Sequence, residues 1–142
     1  LSDFTHSTQV QRLKFDLNNI SKPLIMGILN VTPDSFSDGG QFMDDADVAN
    51  AHAAQMLEDG AAIVDIGGES TRPGAAAVWE GDEIKRVVPA ITRCAAMGAA
   101  ISTDTRRPAV MEAALAAGAH IINGADARAG RRGRPARQCH IR

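Results

Sequence analysis

One unit recurs along this chain, and it limits the folds open to it. A short apolar run ends on a polar residue, a loop rich in Gly, Pro or Ser follows, and a stretch with helical spacing leads into the next run. The runs occupy residues 24–29, 61–66, 99–103 and 120–122. Short continuous runs suit strands buried on both faces, as in a parallel sheet. The stretches between them predict helices over residues 44–59, 80–97 and 105–118. Asp44, Asp45 and Asp47 favour the positive start of the first helix. Ala46, Ala49, Ala53, Met56 and Leu57 share one of its faces, and Gly60 stops it. Ile84, Val87, Val88, Ile91 and Cys94 form the stripe of the second helix, which Pro89 is expected to bend. Pro108 suits the first turn of the third helix, whose apolar face is Val110, Met111, Ala114 and Leu115.

Strand, loop, helix, strand at this spacing predicts βα units around a parallel sheet. Three units and a fourth strand are visible. A complete (βα)8 barrel needs roughly 200–250 residues, so the 142 residues predict a partial (βα)8 TIM barrel of the α/β class. A small open α/β sheet is the other option. Polar residues at every strand end (Asn30, the segment 65–72, Asp104 and Asn123) favour the barrel, because barrels of this kind place their sites on that rim.

The barrel part is expected to span residues 1–123, with Val10, Leu13, Phe15 and Leu17 as a lead-in strand. Residues 124–142 break the pattern. Of the 14 residues 124–137, 13 are Gly, Ala, Arg or Pro, the amino acids of GC-rich codons. This tail reads as out-of-frame translation and is expected to be disordered; a basic arm for RNA is the competing reading. Residues 1–123 carry 9 basic and 16 acidic side chains, which argues against a nucleic-acid partner for the body. No apolar run approaches the length of a membrane span. No signal peptide opens the chain, and its start at Leu1 suggests that the true start is missing. Cys94 and Cys139 form no C-x-x-C pair, which argues against a disulfide scaffold or zinc site and fits a reducing cytoplasm.

The rim segments carry long motifs. Residues 28–40 (Ile-Leu-Asn-Val-Thr-Pro-Asp-Ser-Phe-Ser-Asp-Gly-Gly) and 65–74 (Asp-Ile-Gly-Gly-Glu-Ser-Thr-Arg-Pro-Gly) resemble the first two signatures of the dihydropteroate synthase family. Residues 101–105 and 118–123 resemble its third and fourth strand ends. The resemblance covers about residues 10–123. It implies a (βα)8 barrel that joins 6-hydroxymethyl-7,8-dihydropterin diphosphate to p-aminobenzoate and releases diphosphate, a step of folate synthesis. It also implies Mg2+ as cofactor and sulfonamides as competitors.

By that resemblance Asn30 contacts the metal, and Asp38 assists from the loop. Thr71, Asp104 and Asn123 bind the pterin diphosphate. A carboxylate matches ring N–H and amino donors, and an amide both donates and accepts. Arg72 supplies a planar fork for the diphosphate or the p-aminobenzoate carboxylate, with Ser70 beside it. Phe36 and Pro73 wall the aromatic ring. Asp104 could also serve as the N-cap of the third helix. Asp65 is assigned only to support of the second loop from its strand end, Glu69 to holding that loop together, and Cys94 to the core. His52 is expected on a helix surface and His120 in a strand.

Two departures stand out. The fourth motif continues with Gly124 where the family usually has Asp, and the family's later pterin-binding Asp and Lys, its Arg/His cluster and its dimer surface have no counterpart here. An incomplete sheet leaves an unpaired edge, so the chain alone is expected to be weakly folded or aggregating, with little or no turnover. The competing readings are another pterin-binding barrel, of the methyltetrahydrofolate-dependent methyltransferase type, and a non-catalytic pterin-binding fragment or pseudogene product.

Overall fold

Gly60, Gly98 and Gly118 each turn the chain from a helix back toward the sheet at positive φ, between 76° and 117°, a region that side-chain-bearing residues rarely adopt. The computed structural model describes residues 20–32, 45–70 and 74–124. The elements run β1 (Met26–Asn30), α1 (Asp45–Glu58), β2 (Ile63–Gly67), α2 (Glu80–Ala96), β3 (Ala100–Asp104), α3 (Pro108–Ala117) and β4 (Ile121–Asn123). The four strands form one parallel sheet in the order β1-β2-β3-β4. Each connection between described neighbours passes through a helix, as a parallel ladder requires.

Side chains alternate between the sheet's two faces. Leu29, Val64, Ile66 and Ile101 face the helices and pack with Ala49 and Ala53 of α1, Val87, Ala90, Ile91 and Cys94 of α2, and Val110 and Ala114 of α3. Each predicted stripe therefore has a buried centre, while Met56, Leu57, Ile84, Val88, Met111 and Leu115 are only partly covered and the side chain of Ala46 lies outside the described residues. Small alanines let the helices approach closely. Cys94 lies in this core, and burial pushes its thiol up to about 11. On the opposite face Ile63, Ala100 and Ile121 form a smaller cluster with Leu24 and Ala62.

β1 corrects one expectation. Its apolar run suggested burial on both faces, yet Met26 is 41% and Ile28 66% exposed. β1 is an edge strand of the described sheet, and nothing among the described residues covers that side. The strands also sit one or two residues later than the apolar runs, because the polar residues that end each run remain on the ladder. Pro89 does not break α2, which runs from Glu80 to Ala96. The N-cap of α3 is Arg107 and not Asp104. His120 lies just before β4, where its Nδ1 accepts the Ile101 N–H at 3.2 Å, and burial lowers its pKa. His52 is exposed on α1. The lead-in strand and all of the tail beyond Gly124 lie outside the described residues. Among the described residues no helix is long and apolar enough to cross a membrane.

Candidate active site

The last residues of the four strands stand in one register row. Asn30 pairs with Gly67, Gly67 with Asp104, and Asp104 with Asn123. In a parallel sheet, residues in register share a face, so three polar side chains from three strands line one rim, on the side away from the helices. Gly67 leaves a gap in the row. A Cβ there would sit 3.8 Å from Asn30 Oδ1 and 3.8 Å from Asp104 Cβ, within ordinary contact, so the missing side chain opens a slot between the two. Backbone bonds fix the row: Val31 N–H donates to the Gly67 carbonyl at 2.9 Å and Thr105 N–H to the Asn123 carbonyl at 3.1 Å.

One step deeper on the same face lies the row Ile28, Asp65, Ser102 and Ile121. Asp65 is buried, and its Oδ2 accepts a hydrogen bond from Asn123 Nδ2 at 3.2 Å. This corrects the reading of Asp65 as support for the second loop: it belongs to the floor beneath the rim. Asp65 Oδ1 and Ser102 Oγ are buried without a hydrogen-bond partner, so the floor has unused polar capacity. Asp104 is half-buried. Its pKa is raised first by burial, then by the charges of Asp65 and Glu83. A ligand that brings N–H donors to Asp104 relieves that crowding of negative charge.

The second loop leaves β2 through Gly68 and Glu69. A Cβ on Gly68 would lie 2.8 Å from Val87 Cγ1 and 3.0 Å from Glu83 Cγ, so only glycine lets the chain pass so close to α2. Arg86 Nη1 donates to the Gly68 carbonyl at 3.2 Å. Glu69 accepts from Arg107 through both oxygens, at 2.8 and 3.0 Å, from Arg106 at 3.2 Å and from the Val78 N–H at 3.1 Å. The Arg107 hydrogen bond is the main reason its carboxyl is held down at about 2. Glu69 thus does hold the loop, as its sequence suggested. Arg107 and the fully buried Glu83 beneath it were not foreseen.

Among the sequence-selected residues, Asn30, Asp104 and Asn123 come together on the rim, and Ser70 follows Glu69 at the start of the loop. Phe36, Asp38, Thr71, Arg72 and Pro73 lie outside the described residues. No group of three or more His, Cys, Asp or Glu side chains among the described residues could hold a metal ion. On the rim itself Asn30 offers a neutral oxygen and Asp104 a carboxylate, donor types that Mg2+ accepts.

The family of pterin-binding enzymes matches residues 26–138. Dihydropteroate synthase of Bacillus subtilis (strain 168) is 57% identical over 103 residues, which cover 72% of this chain and 36% of the relative. The enzyme of Neisseria meningitidis serogroup C is 52% identical over 119 residues, covering 83% and 41%. Among solved structures, dihydropteroate synthase of Xanthomonas albilineans with 4-aminobenzoic acid superposes with a TM-score of 0.72 at 52% identity, covering 75% of this chain and 40% of that one. A Yersinia pestis dihydropteroate synthase with a sulfonamide drug gives 0.66 at 52% identity, covering 75% and 38%. The chain therefore spans about two fifths of the length of these relatives. The described fold corresponds to the first three βα units and the fourth strand of a (βα)8 barrel.

Proposed function

Since this chain belongs to the family of pterin-binding enzymes, we propose that it carries the pterin-edge and diphosphate-loop half of a dihydropteroate synthase. The reaction joins 6-hydroxymethyl-7,8-dihydropterin diphosphate to p-aminobenzoate. What supports this reading above all is the single register row that sets Asn30, Asp104 and Asn123 on one rim, in a chain about half identical to dihydropteroate synthases.

In this reading Asp104 accepts the ring N–H and amino donors of the pterin, and Asn123 offers its amide beside it. A ring with the wrong donor pattern leaves these groups unpaired, which makes the pocket selective. Asn30 and Asp38 are the residues that would hold Mg2+, which would supply positive charge against the leaving diphosphate oxygens. Thr71 and Arg72 receive the diphosphate from the second loop, next to Ser70. Phe36 and Pro73 flank the p-aminobenzoate ring, which sulfonamides would mimic. The bond between the pterin methylene and the diphosphate oxygen breaks with its electron pair leaving on diphosphate, the arylamine nitrogen bonds to the cation-like methylene, and the resulting ammonium gives its proton to water.

The reaction belongs in the cytoplasm, where the buried free thiol of Cys94 stays reduced. Homodimerisation would rest on parts of the relatives that these 142 residues do not match. Turnover by these residues alone is therefore expected to be little or none, while binding is retained.

Isothermal titration with the pterin diphosphate tests the reading. The expected result is Mg2+-dependent binding that Asp104→Asn or Asn123→Ala weakens at least tenfold. Absence of binding, or binding indifferent to both changes, would overturn it. Preference for methyltetrahydrofolate over the diphosphate would favour the methyltransferase type instead.

A further inference from the structure

We propose that Arg107 is the positioning residue of the second loop, holding the loop's two feet at a fixed spacing above a buried carboxylate. The feet are Glu69 and Val78. Arg107 Nη1 and Nη2 grip the two oxygens of Glu69 at 2.8 and 3.0 Å, Nη2 also donates to the Val78 carbonyl, and Val78 N–H donates back to Glu69 Oε1 at 3.1 Å. These bonds close a ring that pins Glu69 and Val78 to each other and to Arg107.

Below the ring, Glu83 of α2 accepts from Arg107 Nη1, and its side chain is only 1% exposed. A buried carboxylate needs a compensating charge, and Arg107 is that charge. The guanidinium is therefore held from two sides, by the loop and by the helix core. Its backbone is prepared as well. Pro108 restricts the residue before it to extended conformations, and Arg107 has φ −98° and ψ 123°. The Arg107 N–H donates to Thr105 Oγ1 at 3.2 Å. Thr105 follows Asp104 directly, so one short segment carries both a rim carboxylate and the anchor of the neighbouring loop. Lysine could satisfy one carboxylate as a point charge but could not span both Glu69 oxygens, Glu83 and a carbonyl.

The structural assignment stands on this geometry; its consequence for diphosphate capture rests on the proposed function. Two measurements on the full 142-residue chain separate them. Amide exchange followed by NMR reads the loop foot: the Val78 amide is expected to exchange at least tenfold faster in Arg107→Met and in Arg107→Lys, while Ile101 and Thr103 in β3 keep their protection. Lysine retains a charge over Glu83, so that variant separates loss of the fork from loss of the fold. Unchanged Val78 exchange in both variants, or release of Val78 and β3 together in Arg107→Lys, overturns the proposal, as does a parent chain whose Val78 amide is already unprotected. Titration with inorganic diphosphate and Mg2+ reads the consequence: at least tenfold weaker binding in Arg107→Lys is expected. A parent that protects Val78 yet binds no diphosphate overturns the functional reading and leaves the clasp standing.

Discussion

The side-chain amide of Asn123, at the end of β4, donates through Nδ2 to Oδ2 of Asp65, in the middle of β2, across 3.2 Å. An ionised carboxylate only accepts, so the amide nitrogen must face it and Asn123 Oδ1 must face elsewhere. Asp65 thus decides which end of Asn123 a ligand meets. Asn123→Ala leaves the buried Asp65 without this donor, and its Oδ1 already lacks one. A loss of about 1–3 kcal/mol is expected in urea denaturation. Asp65→Asn lets the amide turn over, and pterin affinity is expected to fall further than stability does.

Acid should weaken the fold in two steps, the second of them at the loop. Glu69 titrates at about 2, down from its ordinary 4.5, chiefly because Arg107 hydrogen-bonds it. A lowered carboxyl pKa contributes stability that is complete above pH 4.5 and is lost as pH falls toward 2. His120, lowered by burial, acts in the same direction starting below its ordinary 6.5. The urea midpoint should therefore decline in two stages below pH 6.5, and Glu69→Gln should flatten only the lower stage.

Asp104 works with the opposite sign. Its pKa is raised by burial and by the negative charges of Asp65 and Glu83, so the folded chain prefers it protonated. Its contribution favours folding at low pH and is lost as pH rises from 3.8 through the raised value. Asp104→Asn should raise the melting temperature at pH 7 while weakening pterin binding at least tenfold. A melting temperature that falls at pH 7 would contradict this.

Two glycines separate tight packing from adaptable packing. A Cβ at Gly68 meets Val87 Cγ1 at 2.8 Å and the Glu83 chain beside it, whereas one at Gly27 comes closest to the flexible thioether of Met56, at 2.7 Å. Gly68→Ala should cost about 1–3 kcal/mol. Gly27→Ala should cost less, because methionine adapts its shape. Urea titration of both variants checks the order.

The open side of β1 should govern self-association. Ile25, Met26 and Ile28 are 64%, 41% and 66% exposed, beside an edge with no strand partner among the described residues. Exposed apolar edges template pairing between chains. Ile28→Thr keeps a β-branched side chain and should reduce light scattering at equal concentration without lowering the urea midpoint.

The rim was legible in the sequence because its residues interrupt apolar runs: Asn30, Asp104 and Asn123 each follow a strand-like stretch and still remain on the ladder. Asp65 was harder to place. It sits between Val64 and Ile66, and its partner is 58 positions away. Arg107 looked like part of a helix lead-in, since nothing local ties it to Glu69, 38 positions earlier. Glu83 did leave a sign. It precedes Val87, Ala90, Ile91 and Cys94 at helical spacing and shares their burial, so a carboxylate stands on an apolar stripe and requires a cation. The openness of β1 was not legible, because an apolar run shows that a strand wants cover and not whether cover is present.

The alignment of the four strand ends also sets how the site can be lost. Sliding one strand by a single position relative to its neighbours turns every side chain on it to the other surface. For β3 such a slip would carry Asp104 toward the helices and put Thr103 or Thr105 in its place. Under the proposed function recognition is written in the phase of the ladder, so a distant change that shifts that phase would erase specificity with Asn30, Asp104 and Asn123 all still present in the chain.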